Sequence, residues 1–399
     1  MHADAKVLRR PAAVELKLPA RGGRLEAYRM GAASPYPAKA AGPFNRVALA
    51  AAHVVSDPLA DHDPWLSAAI DWDATIAYRR HLWALGFSVA EAMDTAQRGM
   101  GLDWRSALEL IRRSAAAAEA DGHRMLASGA GTDHLDPTAA KSLDDVIRAY
   151  EEQFEAIEAA GSPIILMASR ALVRVARSSD DYLKVYDRLL SQAREPVIIH
   201  WLGEMFDPQL AGYWGSPDIP TAMATALAAI RAHPDKVDGI KISLLDAAWE
   251  IEMRRQLPAG VRMYTGDDFN FADLIAGDSE GHSDALLGIF DAIAPAASAA
   301  LSRLAAKDEE SFHRILGPTV PLSRLIFSAP TRFYKTGVVF LAWLNGHQDH
   351  FTMVGGQESA RSITHLAEVF RLADRAGLFS DPELAAARMR ALLAVHGIG

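Results

Sequence analysis

The chain has 399 residues, is 50% apolar and 23% charged, and contains 28 Gly and 20 Pro, an ordinary globular composition that excludes collagen-like, low-complexity and wholly disordered chains. It has no cysteine, which excludes a disulfide scaffold, a Cys-ligated metal or cluster and a thiol nucleophile. A formal net charge of −9 argues against nucleic acid or an anionic membrane as partner.

The first residues lack an apolar stretch followed by a small-residue cleavage site. The longest apolar run, Val338 to Leu344, is far shorter than the roughly 20 residues that span a bilayer. A cytoplasmic protein is expected. Residues 14–30 read as a hairpin. Val14, Leu16 and Leu18 alternate with polar residues, Ala20-Arg21-Gly22-Gly23 supplies a turn, and Leu25 to Met30 returns. With the Pro/Ala/Gly stretch 32–43 it forms an expected N-terminal appendage, 1–44.

From residue 46 short apolar runs alternate with longer helical patterns. The runs are 47–55, 87–93, 125–129, 164–168, 197–200, 237–243, 262–266 and 285–290. Between them, segments such as 143–160 and 179–193 carry apolar residues at a 3.6-residue period. Eight βα units in series predict a (β/α)8 barrel over 45–294. The apolar face of the hairpin is expected to cover the N-terminal mouth of this barrel. No Gly-x-Gly-x-x-Gly follows the first strand, which disfavours a dinucleotide-binding fold. The rest, 295–399, is helical in pattern (295–316, 321–345, 356–374, 381–395) and is expected to pack on the barrel.

In such a barrel the active site lies at the C-terminal ends of the strands. The polar residues there include His53 and Asp57 after the first strand, and Glu91, Asp94, Thr95, Gln97 and Arg98 at the second. Ser128, Thr132, Asp133 and His134 follow at the third, and Ser169 and Arg170 at the fourth. His200 and Glu204 lie at the fifth, Lys241 and Ser243 at the sixth, and Asp267 and Asp268 at the seventh. Lys241 carries the most information. Only 9 of the 41 Lys and Arg are lysines, and this one stands between Ile240 and Ile242, so it should point into the barrel. Desolvation there lowers an ammonium's pKa, and a neutral amine can attack a carbonyl to form a Schiff base. The plainer reading is an inward lysine paired with Asp267 or Glu91. His200 reads either as a general acid/base beside Lys241 or as a strand-end histidine held by a carboxylate.

Four motifs in order resemble the dihydrodipicolinate synthase / N-acetylneuraminate lyase superfamily of class I aldolases. Leu126-Ala-Ser-Gly-Ala-Gly131 is similar to its Ala-Gly-Thr-Gly. Pro196-Val-Ile-Ile-His-Trp-Leu-Gly203 is similar to its Pro-Val-Ile-Leu-Tyr-Asn-Val-Pro. Gly239-Ile-Lys-Ile-Ser243 is similar to its Gly-Ile-Lys, and Tyr264-Thr-Gly-Asp-Asp268 to its Ser-Gly-Asp-Asp. The resemblance covers about 46–345. It implies a Lys241 imine without another cofactor, His200 in place of a tyrosine proton relay, and a homo-oligomer, dimer or tetramer. The chain departs where the superfamily holds the carboxylate of a 2-oxo acid. Its Gly-Thr-Thr-Gly-Glu is here Met93-Asp-Thr-Ala-Gln97, and no arginine follows in 201–207. The expected site is therefore acidic, and the expected substrate is a neutral, sugar-derived keto compound rather than pyruvate. Asp94, Thr95, Asp267, His53, Ser243 and Glu204 are the expected substrate contacts. A rival reading puts a divalent metal on His53, His200, Asp267 and Glu91 in a hydrolase or isomerase. A barrel that only binds sugars is the second alternative.

Overall fold

The computed structural model describes residues 14–20, 22–122 and 126–398. Met125 and the hairpin's Arg21 lie outside these, as do residues 1–13 of the appendage. The hairpin is β1 (Glu15–Ala20) and β2 (Arg24–Arg29), antiparallel with Leu16 opposite Tyr28. The barrel comes next as β3 (Ala48–Ala51), α1 (Trp72–Ala84), β4 (Ser88–Glu91), α2 (Trp104–Ala120), β5 (Leu126–Ala130) and α3 (Leu143–Ala159). Then come β6 (Ile164–Leu166), α4 (Arg170–Val175), α5 (Ser179–Gln192), β7 (Val197–Leu202), α6 (Ile219–Ala232) and β8 (Val237–Ser243). The last units are α7 (Ala247–Gln256), β9 (Arg262–Thr265), α8 (Phe271–Ala276), β10 (Asp284–Leu287) and α9 (Ile289–Ala305). The tail is α10 (Glu309–Leu316), α11 (Val320–Ile326), α12 (Tyr334–Leu344), α13 (Ile363–Arg375) and α14 (Pro382–Val395).

Strands β3 to β10 pair in parallel and in sequence, and β10 closes on β3. Each falls within or across one of the eight expected runs, so the fold is a (β/α)8 barrel. Alternation sorts the side chains. Leu49, Ala51, Ala90, Ala127, Ile165, Ile198 and Leu286 fill the barrel. Ala48, Ala50 and Val89 face one group of helices, and Ile199, Ile240 and Ile242 face another. The helices start where the sequence caps them. Asp71, Asp103 and Asp218 accept from backbone N–H groups of the first turn, and Ser142 with Asp145 forms a capping box. Among the described residues no helix is long and apolar enough to cross a membrane.

Three expectations change. The hairpin packs on the tail helices α13 and α14, not on the N-terminal mouth of the barrel. Tyr28 donates to Asp374 (2.7 Å) and Arg371 donates to the carbonyl of Leu18 (3.3 Å). Leu16 and Leu18 thereby join the apolar core that also holds β3, β10 and the tail. Second, the expected boundary at 294 falls inside α9, the helix that follows the eighth strand; Pro295 only kinks it, with Ile293 at φ −121°. Third, the expected helix 321–345 breaks into α11 and α12 around Ser328-Ala329-Pro330, because proline cannot continue a helix. That break shapes the site.

Candidate active site

Lys241 lies on β8 directly between His200 of β7 and Tyr264 of β9. Its neighbours Ile240 and Ile242 point to the helices, so its own side chain points inward, where it is 7% exposed. The turn after β9 makes room for it. A Cβ on Gly266 would stand 2.3 Å from Ser243 Oγ and 2.7 Å from Lys241 Cε, so the lysine stem rests directly on the glycine backbone.

The ammonium enters a pocket at the C-terminal mouth of the barrel of about 290 Å³, counting its open mouth. Asp94, Thr95, Ser243, Asp268, Phe206, Phe327 and Tyr334 line it with Lys241. Burial pulls the Lys241 pKa below the ordinary lysine range, and Asp268 and Asp94 pull it partly back. Burial likewise raises Asp268, and Lys241 and the backbone N–H of Ile289 oppose the rise. Asp268 Oδ1 accepts that N–H at 2.9 Å. Burial thus pushes each group toward its neutral form, and their mutual attraction opposes that push.

Asp94 and Leu202 form a shared wall with a second, larger cavity of about 640 Å³, counting its open mouth. His200 lines this one, along with Arg98, Thr132, Asp133, Arg170 and Asp207. His200 Nε2 is 3.2 Å from Ser243 Oγ. Burial, and then the neighbouring Lys241, depress its pKa well below the usual imidazole value, so it rests neutral. Thr95 Oγ1 and Tyr334 Oη form a buried hydroxyl pair at 2.8 Å.

Lys241, Ser243, Asp94 and Thr95 are therefore brought to one pocket, whereas His200 lies in the neighbouring cavity and touches that pocket only through Ser243. Four other expected residues line neither. His53 turns away between the barrel and the helices, where Nδ1 is held by Asp291 at 2.8 Å. Asp267 is used up in its own turn, accepting from the backbone N–H groups of Phe269 and Asn270 and from Asn270 Nδ2. The neighbouring Asp268 takes the place beside Lys241, because β9 ends at Thr265 and the turn reverses the next side chains. Glu204 is exposed and lines neither cavity. Glu91 forms a buried bidentate pair with Arg79 on α1 and also accepts from Ser114. The set His53, His200, Asp267 and Glu91 thus does not converge, and among the described residues no group of three or more His, Asp or Glu could hold a metal ion.

The contribution of the tail is not visible in the sequence pattern. Phe327 ends α11 and Tyr334 opens α12, and their rings stack at 4.3 Å over the Lys241 cavity. The only sequence signal is Pro330, which breaks the helical pattern between them. Two of the strand-end arginines named from the sequence, Arg98 and Arg170, line the larger cavity together with Asp94, Asp133 and Asp207, so that cavity is not purely acidic.

A family model described as "Protein of unknown function (DUF993)" matches residues 16–398. The chain belongs to that family. No curated protein matches the sequence. Solved structures place this DUF993 chain in the dihydrodipicolinate synthase fold. The 4-hydroxy-tetrahydrodipicolinate synthase of Methylacidiphilum fumariolicum SolV is similar with a TM-score of 0.61 and 13% identity, over 87% of this chain and 99% of that one. YagE, a prophage protein of the dihydrodipicolinic acid synthase family from E. coli K12, solved in complex with pyruvate, gives 0.60 and 12%, over 89% and 99%. A dihydrodipicolinate synthase from Bacillus anthracis gives 0.58 and 14%, over 82% and 98%.

Proposed function

We propose that this DUF993 protein is a class I lyase or aldolase that forms an imine between Lys241 and a sugar-derived keto compound. The observation that carries the proposal is the juxtaposition of Lys241 and Asp268, a buried amine and acid lining one pocket at the C-terminal mouth of the barrel. The neutral amine attacks the carbonyl carbon, forming a C–N bond. The amine gives up a proton, and the carbonyl oxygen takes one to become a hydroxyl. That hydroxyl takes a second proton and leaves as water, which yields the protonated imine. In this reading Asp268, which lines the same pocket, gives and takes these protons. Cleavage of the bond one carbon further along sends its electron pair to the imine nitrogen, while the proton of the adjacent hydroxyl goes to a base. His200, neutral and hydrogen-bonded to Ser243, serves as that base. Protonation of the resulting enamine and addition of water return the free lysine.

Near the carbonyl the pocket offers Asp94 and Asp268 and the hydroxyls of Thr95, Ser243 and Tyr334. These groups accept hydrogen bonds from substrate hydroxyls, and the Asp94 carboxylate repels a carboxylate attached to the carbonyl, so pyruvate should bind poorly. A homo-oligomer, dimer or tetramer, is part of the same reading.

The test is borohydride reduction in the presence of a panel of ketones and aldehydes. A mass increase on the peptide containing Lys241, absent in Lys241→Ala, supports the proposal, and His200→Phe should slow turnover while still allowing slow trapping. A Lys241→Ala variant that keeps full activity on an identified substrate, or activity lost only on chelation, would overturn it. Tight pyruvate binding with imine formation would overturn the substrate assignment alone.

A further inference from the structure

The larger cavity contains two arginines with opposite hydrogen-bond states. Arg98 is saturated. Its guanidinium donates to the carbonyls of Ala92 and Gly129, to both oxygens of Asp133 and to Gln153. Such an arginine ties the loops after β4 and β5 together and has no donor left for a ligand. Arg170 is different. Only Nε is engaged, by Asp207 Oδ2 at 2.5 Å, and among the described residues its two terminal nitrogens bond to nothing. Asp207 is itself fixed, because its other oxygen caps the backbone N–H of Gln209. The ion pair therefore sets the plane of the guanidinium and leaves its outer edge open.

Two further features keep that edge usable. Gly99, in the left-handed region at φ +68°, lies beneath it; a Cβ there would be 3.6 Å from Nη1 and 3.8 Å from Nη2, so glycine leaves that side of the fork bare. Lys335, a buried lysine whose ammonium donates to the carbonyl of Arg332, adds positive charge within electrostatic reach of Arg170 and Asp207. The charges are also graded along the site. The carbonyl end near Lys241 holds Asp94 and Asp268, whereas the free cationic edge belongs to the larger cavity beyond Asp94 and Leu202.

The geometry points to a second subsite, in which Arg170 takes an oxyanion, carboxylate or phosphate, at the end of the substrate remote from its carbonyl. A guanidinium with two parallel free donors matches either group. This rests on the imine reading for which end of the substrate lies at Lys241. It refines the expected neutral substrate into one uncharged around the carbonyl and anionic at its far end.

The experiment uses matched aldehydes, butanal against succinic semialdehyde and glyceraldehyde against glyceraldehyde 3-phosphate. Borohydride trapping is followed by mass at sub-saturating probe for the wild type, Arg170→Met and Arg170→Lys. In the wild type the charged member of at least one pair should be trapped about tenfold or more faster than its uncharged partner. The pair showing the preference tells carboxylate from phosphate. The ratio should fall to near one in Arg170→Met and recover partly in Arg170→Lys. A wild-type ratio near one for both pairs, or a ratio that survives Arg170→Met, overturns the subsite. Should no probe be trapped, calorimetric titration with succinate and inorganic phosphate needs no imine. Binding by the wild type that Arg170→Met weakens at least tenfold then upholds the subsite while the imine reading falls, and no such binding overturns both.

Discussion

Replacing Gly266 by alanine should disable the lysine without touching it. The added methyl would lie 2.3 Å from Ser243 Oγ, 2.6 Å from the carbonyl of Ile242 and 2.7 Å from Lys241 Cε. Each is well inside the separation that carbon atoms tolerate, and the carbonyl belongs to β8, so it cannot swing aside. Gly266 is also tied to that carbonyl by its own N–H, at 3.0 Å. Relief must come from the lysine stem, the serine or the turn, at a cost of roughly 1–3 kcal/mol of stability for overpacking. A displacement of about 1 Å at a reacting atom costs on the order of a hundredfold in rate. The assay is borohydride trapping at Lys241 together with urea denaturation. Gly42→Ala and Gly317→Ala serve as controls, since a Cβ meets nothing within 4 Å at either position. They should change stability by less than about 0.5 kcal/mol. A Gly266→Ala protein with wild-type trapping and stability would refute the placement of Lys241 against β9.

Imine trapping should rise with pH as Lys241 loses its proton and fall again as Asp268 does, a bell whose alkaline arm is lost in Asp268→Asn while overall rate drops about a hundredfold; a wild-type profile in that variant would remove Asp268 from proton transfer. Glu250 is buried on α7, with Ser283 donating to it at 2.7 Å, and burial raises its pKa from 4.5 to about 8. A raised carboxyl pKa means that its contribution to stability is complete below pH 4.5 and is lost as pH climbs to 8, a swing of up to about 5 kcal/mol. Glu250→Gln should remove that part of the decline between denaturation curves at about pH 5 and about pH 8.5, and parallel curves for the two proteins would refute the burial argument. Asp374→Ala takes the acceptor from Tyr28 and from the backbone N–H of Gly31, and should cost about 2 kcal/mol and expose the hairpin to protease. Unchanged proteolysis would show that the hairpin is held by its apolar face alone.

Periodicity located every barrel strand, because strands buried on both faces between helices read as short, mostly apolar runs. The isoleucines flanking Lys241 made its inward direction legible for the same reason: a one-residue alternation has only two faces. The turns were not legible in this way. Asp267 and Asp268 are adjacent and chemically identical in sequence, and only the path of the chain past Gly266 decides which caps a turn and which meets the lysine. His53 and Glu91 read as strand-end ligands because a sequence shows strand ends and not partners; Asp291 and Arg79, 238 and 12 residues away, claimed them. Tyr334 and Phe327 reach the cavity across more than about 80 residues of chain from Lys241, through a helix break that a local pattern reports only as a proline. Short-range periodicity is a property of neighbouring residues and survives in the sequence. Which distant side chain satisfies a given buried charge depends on how the closed barrel and its tail pack, and only the tertiary structure decides it.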